Sequence, residues 1–159
     1  MRLCLPFPAW PSPPVEEKIS EHVAGLIRHG DCIQLGIGGL PNAIAKQLGG
    51  LRDLGIHTEM FTDAMADLVE RGVVTGARKN INTGLHIGSF AGGSSHLYEV
   101  MSANPAFRIM PGSYAVDPMV IMQNDNLATR RSSTLRTSKL PPPISSAFCF
   151  RSPLRLPVR

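Results

Sequence analysis

One stretch, Asp31-Cys-Ile-Gln-Leu-Gly-Ile-Gly-Gly-Leu-Pro-Asn42, constrains this chain more than any other. Its first half is short, apolar and uncharged after Asp31, the pattern of a buried strand. Gly36, Gly38 and Gly39 then interrupt it, and Pro41 follows. Proline suits the first turn of a helix, where the N–H it lacks would have no intrahelical partner. A buried strand that breaks through glycines into a helix is the unit from which helix-covered parallel sheets are built.

The flanking sequence repeats that unit. Upstream, Ser12 reads as an N-cap, Glu16 and Glu17 suit the positive end of a helix, and Ile19, Val23, Leu26 and Ile27 share one face. Gly30 fits the position just past that helix. Downstream, a helix opening at Pro41 turns Ala43, Ile44 and Leu48 inward. Strands are expected over 54–60, 85–90 and 107–110, with helices near 64–71 and 94–102 between them. Asp117 can cap a short helix over 119–122. The spacing predicts an α/β fold with an open, mostly parallel, doubly wound sheet, since right-handed crossovers prune the alternatives.

The alternation stops after Asn126. Residues 127–159 hold six serines, five prolines, seven basic residues and no acid, and prolines 141–143 forbid a helix or a central strand there. The expected division is a proline-rich arm at 1–13, an incomplete domain at 14–126 and a disordered basic tail at 127–159. So abrupt a change is what a shifted or substituted reading frame would give.

Charge follows the same division. The net +4 belongs to the tail, because residues 1–126 carry 9 basic and 12 acidic residues. Basicity is therefore no argument for a nucleic-acid partner, and the tail lacks an RGG or RS repeat. No apolar run approaches the ~20 residues of a membrane helix. Pro6 and Pro8 interrupt the apolar N-terminus, so a cytoplasmic protein without a membrane partner is expected. Cys4, Cys32 and Cys149 show no CxxC spacing and the five histidines no metal motif, so no metal is expected.

Two clusters can carry chemistry. The glycine stretch Gly36-Ile37-Gly38-Gly39-Leu40 is not a dinucleotide fingerprint, since the third glycine would fall at Pro41. It is not a P-loop either, lacking Gly-Lys-Ser/Thr. It reads as a tight strand–helix turn or as a cradle for a ligand's phosphate or backbone. The second cluster is His57-Thr58-Glu59-Met60-Phe61-Thr62-Asp63. Ligands of open α/β sheets sit beyond the carboxyl ends of the strands, where this cluster falls. Alone, Glu59 reads as a solvated acid and His57 as a hydrogen-bonded structural residue.

Taken together, the residues from 13 to 126 resemble the acetyl-CoA hydrolase/transferase family, in its 4-hydroxybutyrate and butyrate CoA-transferase branch. The likeness is carried by residues 33–42, by Leu54-Gly-Ile-His-Thr-Glu-Met60, by residues 67–76, by Leu97-Tyr98, by Asp117-Pro118 and by Asn124-Asp125-Asn126. Ala64, Leu85 and Ser95-His96 depart from the family pattern. The resemblance implies coenzyme A as substrate and covalent intermediate, with an acyl-CoA and a short-chain carboxylic acid as reaction partners. It makes Glu59 the CoA-carrying carboxylate, and Gly36, Ile37, Gly38, Gly39 and Leu40 the CoA contacts. It also implies a partial chain, working as a homo-oligomer or with a complementing domain. Two alternatives stand beside transfer: hydrolysis of acyl-CoA, with water as acceptor, and a catalytically inactive remnant.

Overall fold

The computed structural model describes residues 14–130. The arm at 1–13, including Ser12, and the expected tail from residue 131 onward lie outside the described residues.

Five parallel segments build the sheet. Strand β1 is Cys32–Leu35; the next segment contributes β2, Gly55–Ile56, and β3, Met60–Phe61; the third contributes β4, His86–Gly88, and β5, Phe90–Ala91. Strand β6 is Phe107–Ile109 and β7 is Leu127–Arg130. Pairing runs β7-β1-β2, β3-β5 and β4-β6, all parallel, and an isolated His57–Ile87 bridge links the second and third segments. Helix α2, Gly39–Gln47, connects the first two segments, α3, Asp63–Glu70, the next two, and α4, Ser95–Ala103, leads to β6. Helix α1, Pro14–Ala24, packs on α2, α2 on α3, and α3 on α4. By the right-handed rule for parallel crossovers, three steps in one direction put those helices on one face and the return through α5, Gly112–Ala115, and α6, Pro118–Ile121, on the other. The expected doubly wound, parallel α/β architecture is the one observed.

Apolar spacing explains the core. Ile33, Ile44, Leu48, Leu54, Ile56, Phe61, Met65 and Leu68 come from strands, crossover helices and the turn between α2 and β2, and all are buried in one cluster. Cys32 is a core residue, as its strand pattern implied, and burial pushes its thiol up to about 12.

Four expectations need correction. The sheet does not stop at Asn126: Leu127–Arg130 pairs parallel with all of β1, and Leu127 is buried beside Cys32. Local composition there is basic and polar, and only the long-range register with β1 makes a strand of it. Helix α1 ends at Ala24, not near Ile27, because Leu26 and Ile27 donate to carbonyls three residues back and tighten the last turn. The strand expected over 54–60 is split, since it changes neighbour from β1 to β5 at Thr58–Glu59. The strand expected over 85–90 is split likewise at Ser89. Asp117 caps α6 as anticipated, its Oδ1 accepting from the Met119 N–H at 2.7 Å.

Candidate active site

The carboxyl ends of β1, β3 and β5 converge on one edge of the sheet. From β1 emerges the glycine turn. Gly36 closes the strand, Ile37 is exposed, and Gly38 takes φ 120°, ψ 178° as the residue before α2. That backbone conformation is open essentially only to glycine. Gly39 and Leu40 form the first helical residues, with Pro41 buried beside them, so α2 begins two residues earlier than its proline suggested. The five residues named from sequence are thus one strand exit and one helix N-terminus.

Glu59 stands on the neighbouring segment, exposed, between buried Thr58 and half-buried Met60. Its position is set by what surrounds it. The His57 N–H donates to the Ile33 carbonyl at 3.2 Å, and the Thr58 N–H to Ile87 at 2.9 Å. The Thr58 hydroxyl lies 3.2 Å from the Met60 carbonyl and 3.5 Å from that of Leu35. Glu59's own carbonyl accepts from the Ser89 N–H at 2.8 Å and the Phe90 N–H at 3.3 Å. The backbone under this carboxylate is therefore held on one side by β1 and on the other by the β4–β5 joint. Residue 35 ends the strand that enters the glycine turn, so the two clusters meet at strand ends.

His57 is structural, as expected. Its ring is buried, and its Nε2–H donates to the Ala115 carbonyl at 2.9 Å, tying the second segment to α5. Desolvation lowers its pKa, and the Lys79 ammonium adds to that. Asp63, the first residue of α3, accepts from the Ser94 N–H at 3.0 Å and the Ser94 hydroxyl at 2.6 Å. That pair locks the loop after β3 to the loop after β5. Gly93 permits the approach, since a Cβ there would stand 2.7 Å from Asp63 Oδ2.

A groove of about 440 Å³ opens beside these loops and runs between α2 and α3; Ile37, Gly38, Thr62, Ser94, Lys46 and Arg71 are among its walls. Glu59 is not among them. Of the glycine stretch only Ile37 and Gly38 reach the groove.

Sequence reasoning missed two features. Lys79 is buried and, among the described residues, has no carboxylate partner; its ammonium donates to Ile56 O at 3.0 Å and Leu85 O at 2.8 Å. It bridges two segments whose own ladder is interrupted, and nothing local in Arg78-Lys79-Asn80 signals burial. The other is exposed His96 on α4, whose Nε2 lies 3.0 Å from Glu70 and 3.5 Å from Asp67 on α3. These three could jointly hold a metal ion, a grouping invisible to motif spacing because it spans two helices.

No family model matches the chain. Known proteins do. The chain is 44% identical over 119 residues to the succinyl-CoA:cyclohexane-1-carboxylate CoA transferase of Geobacter metallireducens, covering 75% of this chain and 27% of that protein. RipA from Yersinia pestis superposes with a TM-score of 0.76 and 38% identity, over 79% of this chain and 29% of RipA. The 4-hydroxybutyrate CoA-transferase of Porphyromonas gingivalis superposes with a TM-score of 0.72 and 37% identity, over 77% and 32%. Over the shared stretch the chain belongs to the CoA-transferase family. It spans about a quarter of the length of the curated relatives it matches.

Among the described residues, no helix is long and apolar enough to cross a membrane.

Proposed function

We propose that this chain carries the nucleophile and glycine turn of a CoA-transferase. The enzyme moves CoA between a short-chain acyl-CoA and a carboxylic acid of the 4-hydroxybutyrate, butyrate or acetate class. One observation carries the reading: Glu59 has an exposed side chain on a backbone clamped from both flanks, beside the strand that enters the glycine turn. A carboxylate is ionised at neutral pH and needs no base to attack.

In the proposed reaction a Glu59 carboxylate oxygen attacks the thioester carbonyl, and the C–S bond breaks to give an acyl-glutamyl anhydride and CoA thiolate. The thiolate attacks the glutamyl carbonyl and expels the acyl group as free carboxylate. Glu59 then holds CoA as a thioester. A second acid repeats these steps in reverse. Forming an anhydride from a weak nucleophile is uphill, so binding of the remote CoA arm must offset it. The N-terminal end of α2 presents positive potential at the strand edge, which suits the oxyanions of both tetrahedral steps.

The test is to incubate the protein with acetyl-CoA and read the peptide containing Glu59 by mass spectrometry. A CoA adduct on Glu59, absent in Glu59→Gln, is expected. CoA bound without any adduct would mark an inactive remnant, and release of free CoA with no acceptor acid would mark a hydrolase.

A further inference from the structure

We infer that the groove between α2 and α3 is a subsite for the phosphate-bearing arm of acyl-CoA, held by Lys46 and Arg71. The inference rests on the reading of the chain as a CoA-transferase segment and assigns a place to a part of the substrate that Glu59 does not touch.

Four observations lead there. First, the groove begins at Ile37 and Gly38, the exit of β1 beside Glu59's segment, and reaches Lys46 about 10 Å further along α2. A thioester held at the strand edge therefore has a path leading away from the chemistry, between two helices. Second, among the described residues neither the Lys46 ammonium nor the Arg71 guanidinium makes a hydrogen bond or ion pair, although both are exposed in a concave wall.

Third, the acids of the same groove are already engaged. Both oxygens of Asp63 accept from Ser94, and Asp67 lies beside His96. Asp63 thus has its donors while, among the described residues, the two cations lack acceptors, which favours an anion as their partner. Fourth, the guanidinium lies against Gly49, where any Cβ would collide with it, so the absence of a side chain at 49 makes room for Arg71. An ammonium from α2 and a planar guanidinium from the end of α3, both lining this groove, suit a diphosphate or phosphomonoester.

The test titrates the full chain with acetyl-CoA and with acetyl-pantetheine, which has the thioester but no phosphate. The charge-neutral double variant Lys46→Met/Arg71→Met should bind acetyl-CoA at least tenfold more weakly and shift acetyl-pantetheine less than twofold. Lys46→Arg with Arg71 intact should keep acetyl-CoA binding within a few-fold. Unchanged acetyl-CoA affinity in the double variant overturns the subsite, as does equal weakening for both ligands or no acetyl-CoA binding by the unaltered chain. Glu59→Gln separates this from the chemistry: it should lose the covalent adduct and keep acetyl-CoA binding.

Discussion

The Thr58 hydroxyl lies 3.5 Å from the Leu35 carbonyl, so the residue before Glu59 leans on the residue before the glycine turn. The same hydroxyl is 3.2 Å from Met60 O and is buried. It has one proton to donate, and it is a side-chain link between the two clusters that the proposed chemistry needs together.

Replacing that hydroxyl is the first prediction. Thr58→Val keeps the shape and removes the one donor these two carbonyls share, at a cost of about 1–3 kcal/mol. Thr58→Ser should recover most of the loss. Urea unfolding of the three proteins checks it, and equal midpoints would show the hydroxyl to be idle.

Glu59 is exposed, so its replacement should leave the fold alone. Glu59→Gln is expected to unfold within ~0.5 kcal/mol of the parent, as surface changes usually do, and to form no CoA adduct. Glu59→Asp draws the carboxylate back by one bond, and reaction geometry tolerates little more than ~1 Å. It should form adduct at least tenfold more slowly. Adduct formation at the parental rate in Glu59→Gln would move the nucleophile elsewhere.

Gly38 sits at φ 120°, ψ 178°, so Gly38→Val is strained before any ligand is considered, by ~1–3 kcal/mol. Gly36 has no positive φ. Gly36→Val should therefore weaken CoA binding more than folding, whereas Gly38→Val should harm both. Comparing thermal midpoints with CoA titrations for the pair separates a tight turn from a ligand cradle. Loss of folding in both with unaltered CoA affinity would support the turn alone.

Acid should destabilise the domain through His86. Burial lowers its pKa from 6.5 to about 4, and the nearby Lys79 ammonium pushes the same way. Its ring packs 5.0 Å from that of Phe107, and its Nδ1 has no hydrogen-bond partner among the described residues. Between about pH 4 and 6.5 the unfolded chain binds a proton that the folded chain refuses, so stability falls as pH drops through that window. At 1.36 kcal/mol per pH unit the loss is on the order of 3 kcal/mol by pH 4. His86→Phe should flatten the stability–pH curve there. An unchanged slope in that variant would place the acid sensitivity in another group.

What the amino-acid order determined by itself is the set of elements whose signals are local. The apolar run after Asp31 marked β1, the shared face of Ala43 and Ile44 marked α2, and Asp117 marked the start of α6, because strand burial, helix periodicity and capping act over a few residues. The candidate nucleophile and the glycine turn were legible for the same reason, each being a contiguous cluster at the end of a strand. Long-range pairing decided the rest. Leu127–Arg130 became a strand only because β1 offered it a free edge, and residues 54–61 split because two different neighbours claim their two ends. Lys79 went inward because two carbonyls from separate segments await its ammonium. Lys46 and Arg71, twenty-five positions apart, face one groove because α2 packs on α3. Contacts of that kind depend on which surfaces meet, and no window along the chain contains both partners.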